Sequence, residues 1–118
     1  MSKLKKAIRK AFRVAVFTRA NYCCEWCGIK GHDRQNLKLT NVEIARTKSL
    51  DAHHITDRHL MPNGGYVPEN GVALCPKCHK KAERREITGN QLYDIINSDY
   101  EKAVIASTSL EEISSIFG

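Results

Sequence analysis

The sequence has no apolar run approaching the ~20 residues of a membrane span, no internal repeat and no low-complexity segment. A membrane-spanning helix, a solenoid and a flexible linker are set aside on those grounds. At 118 residues the chain is too short for two ordinary domains. The core it can bury is modest, so a metal staple would add needed stability. The basic start "MSKLKKAIRKAF" lacks the apolar stretch and small-residue cleavage site of a secretory signal, which leads us to expect a cytosolic protein. In a reducing compartment its five cysteines read as metal ligands rather than disulfides.

Acidic residues are sparse over most of the chain. Residues 1–86 hold 18 of the 19 basic residues and 8 of the 13 acidic ones, a net of +10. Residues 87–118 hold Lys102 against Asp94, Asp99, Glu101, Glu111 and Glu112, a net of −4. A basic body with an acidic tail segment suits a polyanion, most simply nucleic acid, although a solvated cationic surface gives the same count.

The pattern predicts a basic helix near residues 3–20, with Leu4, Ile8, Phe12, Ala15 and Val16 at helical spacing and Ser2 as an N-cap. Its remaining surface carries lysines and arginines, among them Lys6, Arg9, Lys10 and Arg13, that could face phosphates. "YCCEWCGIKG" forms a knuckle. "NLKLTNVEI" alternates as a short strand or hairpin would, with Leu37, Leu39, Val42 and Ile44. "LDAHHI" reads as a strand, the Pro- and Gly-punctuated "TDRHLMPNGGYVPEN" as a loop and "GVALC" as a second strand. "PKCHKKAERREI" is helical, with Pro76 in its first turn and Gly89 at or just past its stop. One or two further helices follow.

Two CxxC pairs, Cys24/Cys27 and Cys75/Cys78, can complete a tetrahedral four-thiolate zinc site that ties distant parts of the chain together. A redox dithiol is the competing reading, but neither pair sits in a thioredoxin-like pattern. Cys23 is left over and reads as a small buried residue. His53, His54, Asn70 and His79 fall within the strand–loop–strand–helix unit, and His79 directly follows Cys78. A zinc at the cysteines would therefore fix where His79 points.

"LDAHHI…PENGVALCPKCHKKAE" resembles the HNH endonuclease motif on its ββα-metal unit, and "YCCEWCG" resembles the upstream half of the zinc site of many members. The resemblance spans residues 22–83. It implies His54 as general base, Asn70 as the residue holding the base-bearing segment, and His79 as a ligand of a catalytic divalent ion. His53 occupies a position that is Asp in many members and His in others, and would be the second ligand. The ion could be Mg2+, Mn2+, Ni2+ or Zn2+. Glu83, one turn after His79, could bind it, orient His79 or pair with a neighbouring cation, and the last two are favoured. Neighbours in a regular strand face opposite ways, so one site for both histidines requires a bulge or a phosphate lying across the strand end.

The fold expected is α+β: a small, treble-clef-like ββα-metal core with a zinc knuckle, flanked by helices. Its parts are a basic N-terminal helix (1–21), a zinc-stapled core (22–87) and a helical C-terminal extension (88–118) of one nuclease domain. The function expected is metal-dependent hydrolysis of DNA phosphodiesters in a bacterial or phage-infected cell, with RNA left open as substrate and no membrane partner. Backbone phosphates would meet Lys6, Arg9, Lys10, Arg13, Arg58, Lys77, Lys80, Lys81 and Arg84. Trp26 and Tyr66 are read as packing residues, His32 and His59 as surface residues. A homodimer or a packaging or repair complex would be the larger assembly. The alternative is a non-catalytic zinc module binding DNA or a protein partner.

Overall fold

The computed structural model describes residues 3–117, with side chains described through residue 110; the expected Ser2 cap lies outside the described residues. Helix α1 (Lys3–Arg19) turns Phe12, Val16 and Phe17 inward and leaves its lysines outward. That face packs on an antiparallel hairpin of β3 (Asp51–His54) and β4 (Gly71–Leu74). Every residue of β4 is buried, because α1 covers it from one side and the cysteine knuckle crosses its outer edge. At that edge the Glu25 backbone N–H donates to Ala73 O, and the Ala73 N–H donates to the Glu25 carboxylate (2.8 and 2.9 Å). Arg19, at the end of α1, grips the same carboxylate (2.7 and 3.1 Å) and donates to the Pro68 and Gly71 carbonyls (2.7 and 2.6 Å). One bidentate pair thus joins α1, the knuckle and the hairpin.

Gly71 is required by close approach. A Cβ there would lie 2.5 Å from a Phe12 ring carbon and 2.6 Å from a Val16 methyl, both buried. Helix α3 (Pro76–Glu83) follows β4 directly, with Pro76 in the first turn as its missing N–H predicts. The strand, loop, strand, helix order read from the sequence is therefore present, giving an α+β fold.

Three local readings are corrected. "NLKLTNVEI" is not a strand: Leu37 is exposed, and α2 (Asn41–Arg46) begins at a capping box. Thr40 Oγ1 accepts from the Glu43 N–H while the Glu43 carboxylate accepts from the Thr40 N–H (3.1 and 2.7 Å). Gly89 does not stop α3, which ends ahead of Arg85 in left-handed backbone (φ 62); Gly89 instead opens α4 (Gly89–Ile95), capped by Thr88. His32 is buried rather than on the surface: it lies on the short β1 (Gly31–His32), paired parallel to β2 (Lys48–Ser49), and its Nδ1 meets Thr47 Oγ1 at 2.7 Å. Helix α5 (Tyr100–Phe117) follows α4 after a break at Asn97 (φ 56). Among the described residues no helix is long and apolar enough to cross a membrane.

Candidate active site and metal centre

Cys24, Cys27, Cys75 and Cys78 bring their sulfurs within 4.8 Å of one another, the sole cluster of three or more metal-ligating side chains this tight among the described residues. The first pair sits on a turn closed by the Gly28 N–H on Cys24 O (2.9 Å), with Gly28 at φ 82, where a side chain would be strained. The second pair straddles the start of α3. Burial pushes the Cys24 thiol up, but backbone hydrogen bonds from Cys27, Cys75 and Trp26 outweigh it and bring the thiol to about 7. Burial and neighbouring sulfurs push Cys78 far up. A set that resists carrying four negative charges by itself, yet offers four converging sulfurs, fits a soft divalent cation such as zinc. Cys23 lies outside the set, half-buried, with Sγ 3.5 Å from Asn21 O.

The knuckle and β4 fix the start of α3, and α3 carries His79 against β3. Ring centroids of His53 and His79 are 5.0 Å apart, edge to face. His79 Nδ1 lies 3.1 Å from the Asp51 carboxylate and Nε2 3.3 Å from Glu83 Oε1. Asp51 in turn pairs with Arg34 (3.2 Å). Asp51 was not among the expected site residues, although it stands two before His53 and therefore on the same strand face. His53, His79 and Glu83 lie close together without converging as tightly as the cysteines do. Burial, followed by the charges of His79 and His54, lowers His53 to about 4.

The register of β3 on β4 is unbroken, with His53 opposite Val72 and His54 opposite Gly71. No bulge brings the histidines together, and they diverge as strand neighbours should. His54 stacks on Phe12 (4.7 Å between centroids) and meets Tyr66 edge-on (4.6 Å). Its Nε2 is buried without a hydrogen-bond partner. Burial, then the charge of Arg58, lowers its pKa below the usual value for histidine. Both histidines nevertheless line one open cleft of about 650 Å³ at the strand end, shared with Thr56, Glu83 and Arg85. His54 Nε2 itself is closed to solvent, so the cleft borders that ring without exposing this nitrogen.

Asn70 is fully buried at the far end of the loop that leaves His54. Its Nδ2 donates to the Thr56 and Gly65 carbonyls (3.0 and 3.2 Å), and its Oδ1 accepts from the Thr56 N–H (3.0 Å). The residue after His54, Ile55, donates its N–H to Asn70 O (2.9 Å). The side chain therefore pins the backbone that follows His54.

The expected phosphate-facing cations divide into groups. Lys6 and Lys10 are exposed on α1, Lys77 and Lys80 on α3, and Arg84 at the C-cap of α3. Arg9 lies over the Tyr66 ring at 5.3 Å, and Arg58 approaches the Tyr66 hydroxyl at 3.5 Å, so two guanidiniums flank the ring that touches His54. Arg13 is engaged by Asp33 at 2.9 Å. Lys81 is half-buried and lines a hollow beside Trp26 and the cysteines.

No curated protein and no solved structure matches this chain. The family model that does match, over residues 24–85, is described as HNH endonuclease.

Proposed function

The chain belongs to the HNH endonuclease family, and from that premise we propose that it hydrolyses DNA phosphodiester bonds with His54 as general base and His53 and His79 as ligands of a divalent cation. Membership carries nuclease-type chemistry and metal binding; the residue roles are our reading. The observation that supports it best is the cleft at the end of β3 that both His53 and His54 line, with His79 edge-on to His53.

The residues suit the work. A base must be unprotonated at neutral pH, and burial disfavours the charged form of His54. Phe12 and Tyr66 hold its ring from the face and the edge, so orientation is set before substrate arrives. Asp51 accepts from His79 Nδ1 and leaves Nε2 as the ring's ligand atom. Glu83, 3.3 Å from that nitrogen, adds negative charge where the cation would bind. When bound, the cation would polarise the phosphate and stabilise the departing oxygen. Zinc on the four cysteines would hold α3, and with it His79, against β3. Arg9 and Arg58 would meet phosphate next to His54. A single such site cuts one strand at a time.

A second reading, a non-catalytic zinc module that binds DNA, draws on the unpartnered, buried Nε2 of His54 and its aromatic packing. A plasmid-relaxation assay separates the two. Wild type should nick supercoiled DNA with Mg2+, Mn2+, Ni2+ or Zn2+ and stop with chelator. His54→Ala should lose about a hundredfold or more in rate while keeping its fold and DNA affinity. Equal cleavage by the variant removes His54 as base. DNA binding without cleavage by wild type under every metal hands the function to the binding module.

A further inference from the structure

We propose that Tyr93, on α4 and outside the family-matched segment, is a positioning residue for the nuclease site: it locks Asn70 and, through Asn70, the strand end that carries His54. The proposal rests on the nuclease reading for its kinetic part and on geometry for the rest.

The hydrogen bonds around Asn70 assign their own directions. Two carbonyls, Thr56 O and Gly65 O, face one end of its amide, so that end must be the NH2 group. The Thr56 N–H faces the other end, which must be the oxygen. That oxygen has room for a second donor, and the Tyr93 hydroxyl supplies it at 2.8 Å. A phenol has one proton. With that proton on Asn70, the Thr56 hydroxyl, 2.7 Å away, must donate to the Tyr93 oxygen. The result is a directed relay, Thr56 Oγ1 to Tyr93 Oη to Asn70 Oδ1, in which the amide uses both donors and both lone pairs. Asn70 and Tyr93 are 0 % and 5 % exposed, so water does not compete for these groups.

Without the tyrosine proton, Asn70 Oδ1 is held by the Thr56 N–H alone, and the Thr56 hydroxyl loses its acceptor. The next residues back along the chain are Ile55, bonded to the Asn70 backbone, and His54. A base displaced by a fraction of an ångström loses rate rather than affinity. The same extension takes a second hold on this loop: Ser107 of α5 accepts from the Gly65 N–H (3.0 Å) and donates to Pro62 O. Residues 88–110 thus reach the site by contacts that the matched segment does not contain.

The test uses the full chain as wild type, Tyr93→Phe and, as a control on the same helix, Gln91→Ala. Amide hydrogen exchange at Thr56 reports the lock independently of activity, and single-turnover cleavage reports its consequence. For Tyr93→Phe the Thr56 amide should exchange about tenfold faster, while the Cys24 amide, bonded to Ile29 O in the knuckle, stays unchanged. The cleavage rate constant should fall about tenfold with KM unaltered. Gln91→Ala weakens the α4 capping box without touching Asn70 or the cleft and should stay within about twofold of wild type in rate. Unchanged Thr56 protection in Tyr93→Phe overturns the lock. Lost protection with an unchanged rate overturns the positioning role, and equal loss in both variants reduces Tyr93 to general stability. Should Tyr93→Phe fail to fold, the wild-type NMR spectrum decides: the Tyr93 hydroxyl proton should be slow to exchange and close to Asn70, and a proton lost to solvent exchange would overturn the lock. If wild type binds DNA but never cleaves, the kinetic claim falls with the nuclease reading, and the exchange result still decides the lock.

Discussion

Tyr93 places a phenol where a phenolate is costly. Burial pushes its pKa above the ordinary value of 10; the hydrogen bond with Thr56 pulls the other way, and the charges of Tyr100 and Asp99 add to the rise. The folded value thus exceeds the unfolded one. Its contribution to stability is complete below about pH 10 and is lost as pH rises through the folded value. Urea midpoints measured from about pH 8 to pH 11 should therefore fall more steeply for wild type than for Tyr93→Phe. Parallel alkaline limbs would show that folding leaves the Tyr93 pKa at its unfolded value. Residues of this kind mark the boundary of what sequence reveals. That His53 and His54 stand on a strand, Asn70 just before the next strand and His79 at a helix start was legible, because those elements announce themselves over a few residues; the roles given to the four came from the resemblance to the family motif. Asp51 was legible in principle, since alternation puts it on the His53 face. Tyr93 was not, because its value lies in meeting Asn70 across 23 positions of chain, and nothing local announces that contact.

At the scale of elements, the decisive fit is α1 on the hairpin. Phe12 serves twice there, as core and as the surface on which His54 stacks, so the approach of α1 sets both packing and site. Gly71, opposite His54 in the register, makes that approach available. Gly71→Ala should cost on the order of 2 kcal/mol in chemical denaturation, because a methyl must displace Phe12 and Val16 from a filled core. It should also move the His54 ring signals in an NMR spectrum, whereas an unchanged His54 environment would mean that α1 does not define the ring's place. The helix itself was readable from its apolar stripe. Helix α2 was not, since four alternating apolar residues outweighed a capping box whose Thr40 and Glu43 were in plain view. None of those apolar residues is buried, so the alternation marked no core-facing strand at all. The absence of a bulge in β3 teaches the complementary lesson: both histidines reach the cleft from a regular strand because the strand ends there.

For the whole molecule, the charge asymmetry and the site's position argue together. The basic residues cluster in the part of the chain that holds α1, the knuckle and α3, while the net-negative segment begins after α3. Some of that positive charge is already matched inside the chain: Arg13 by Asp33, Arg19 by Glu25 and Arg34 by Asp51. Among the cations that this leaves without a carboxylate partner among the described side chains are Lys6, Arg9 and Lys10 on α1, Lys77 and Lys80 on α3 and Arg84 at its C-cap. If these meet DNA phosphates, binding by His54→Ala, which should not cut, will weaken with salt, and log K will fall with log salt by about 0.9 for each phosphate contacted. Replacing Lys10 with Ala should reduce that slope by about one contact and weaken random-sequence duplexes equally, as expected of a residue that touches backbone rather than base edges. Arg13→Ala should leave the slope nearly unchanged, because its guanidinium is held by Asp33. A slope that responds to Arg13 and ignores Lys10 would mean that nucleic acid draws Arg13 away from Asp33 and enters the hollow that Arg13 shares with His54, rather than lying along the outer lysines of α1.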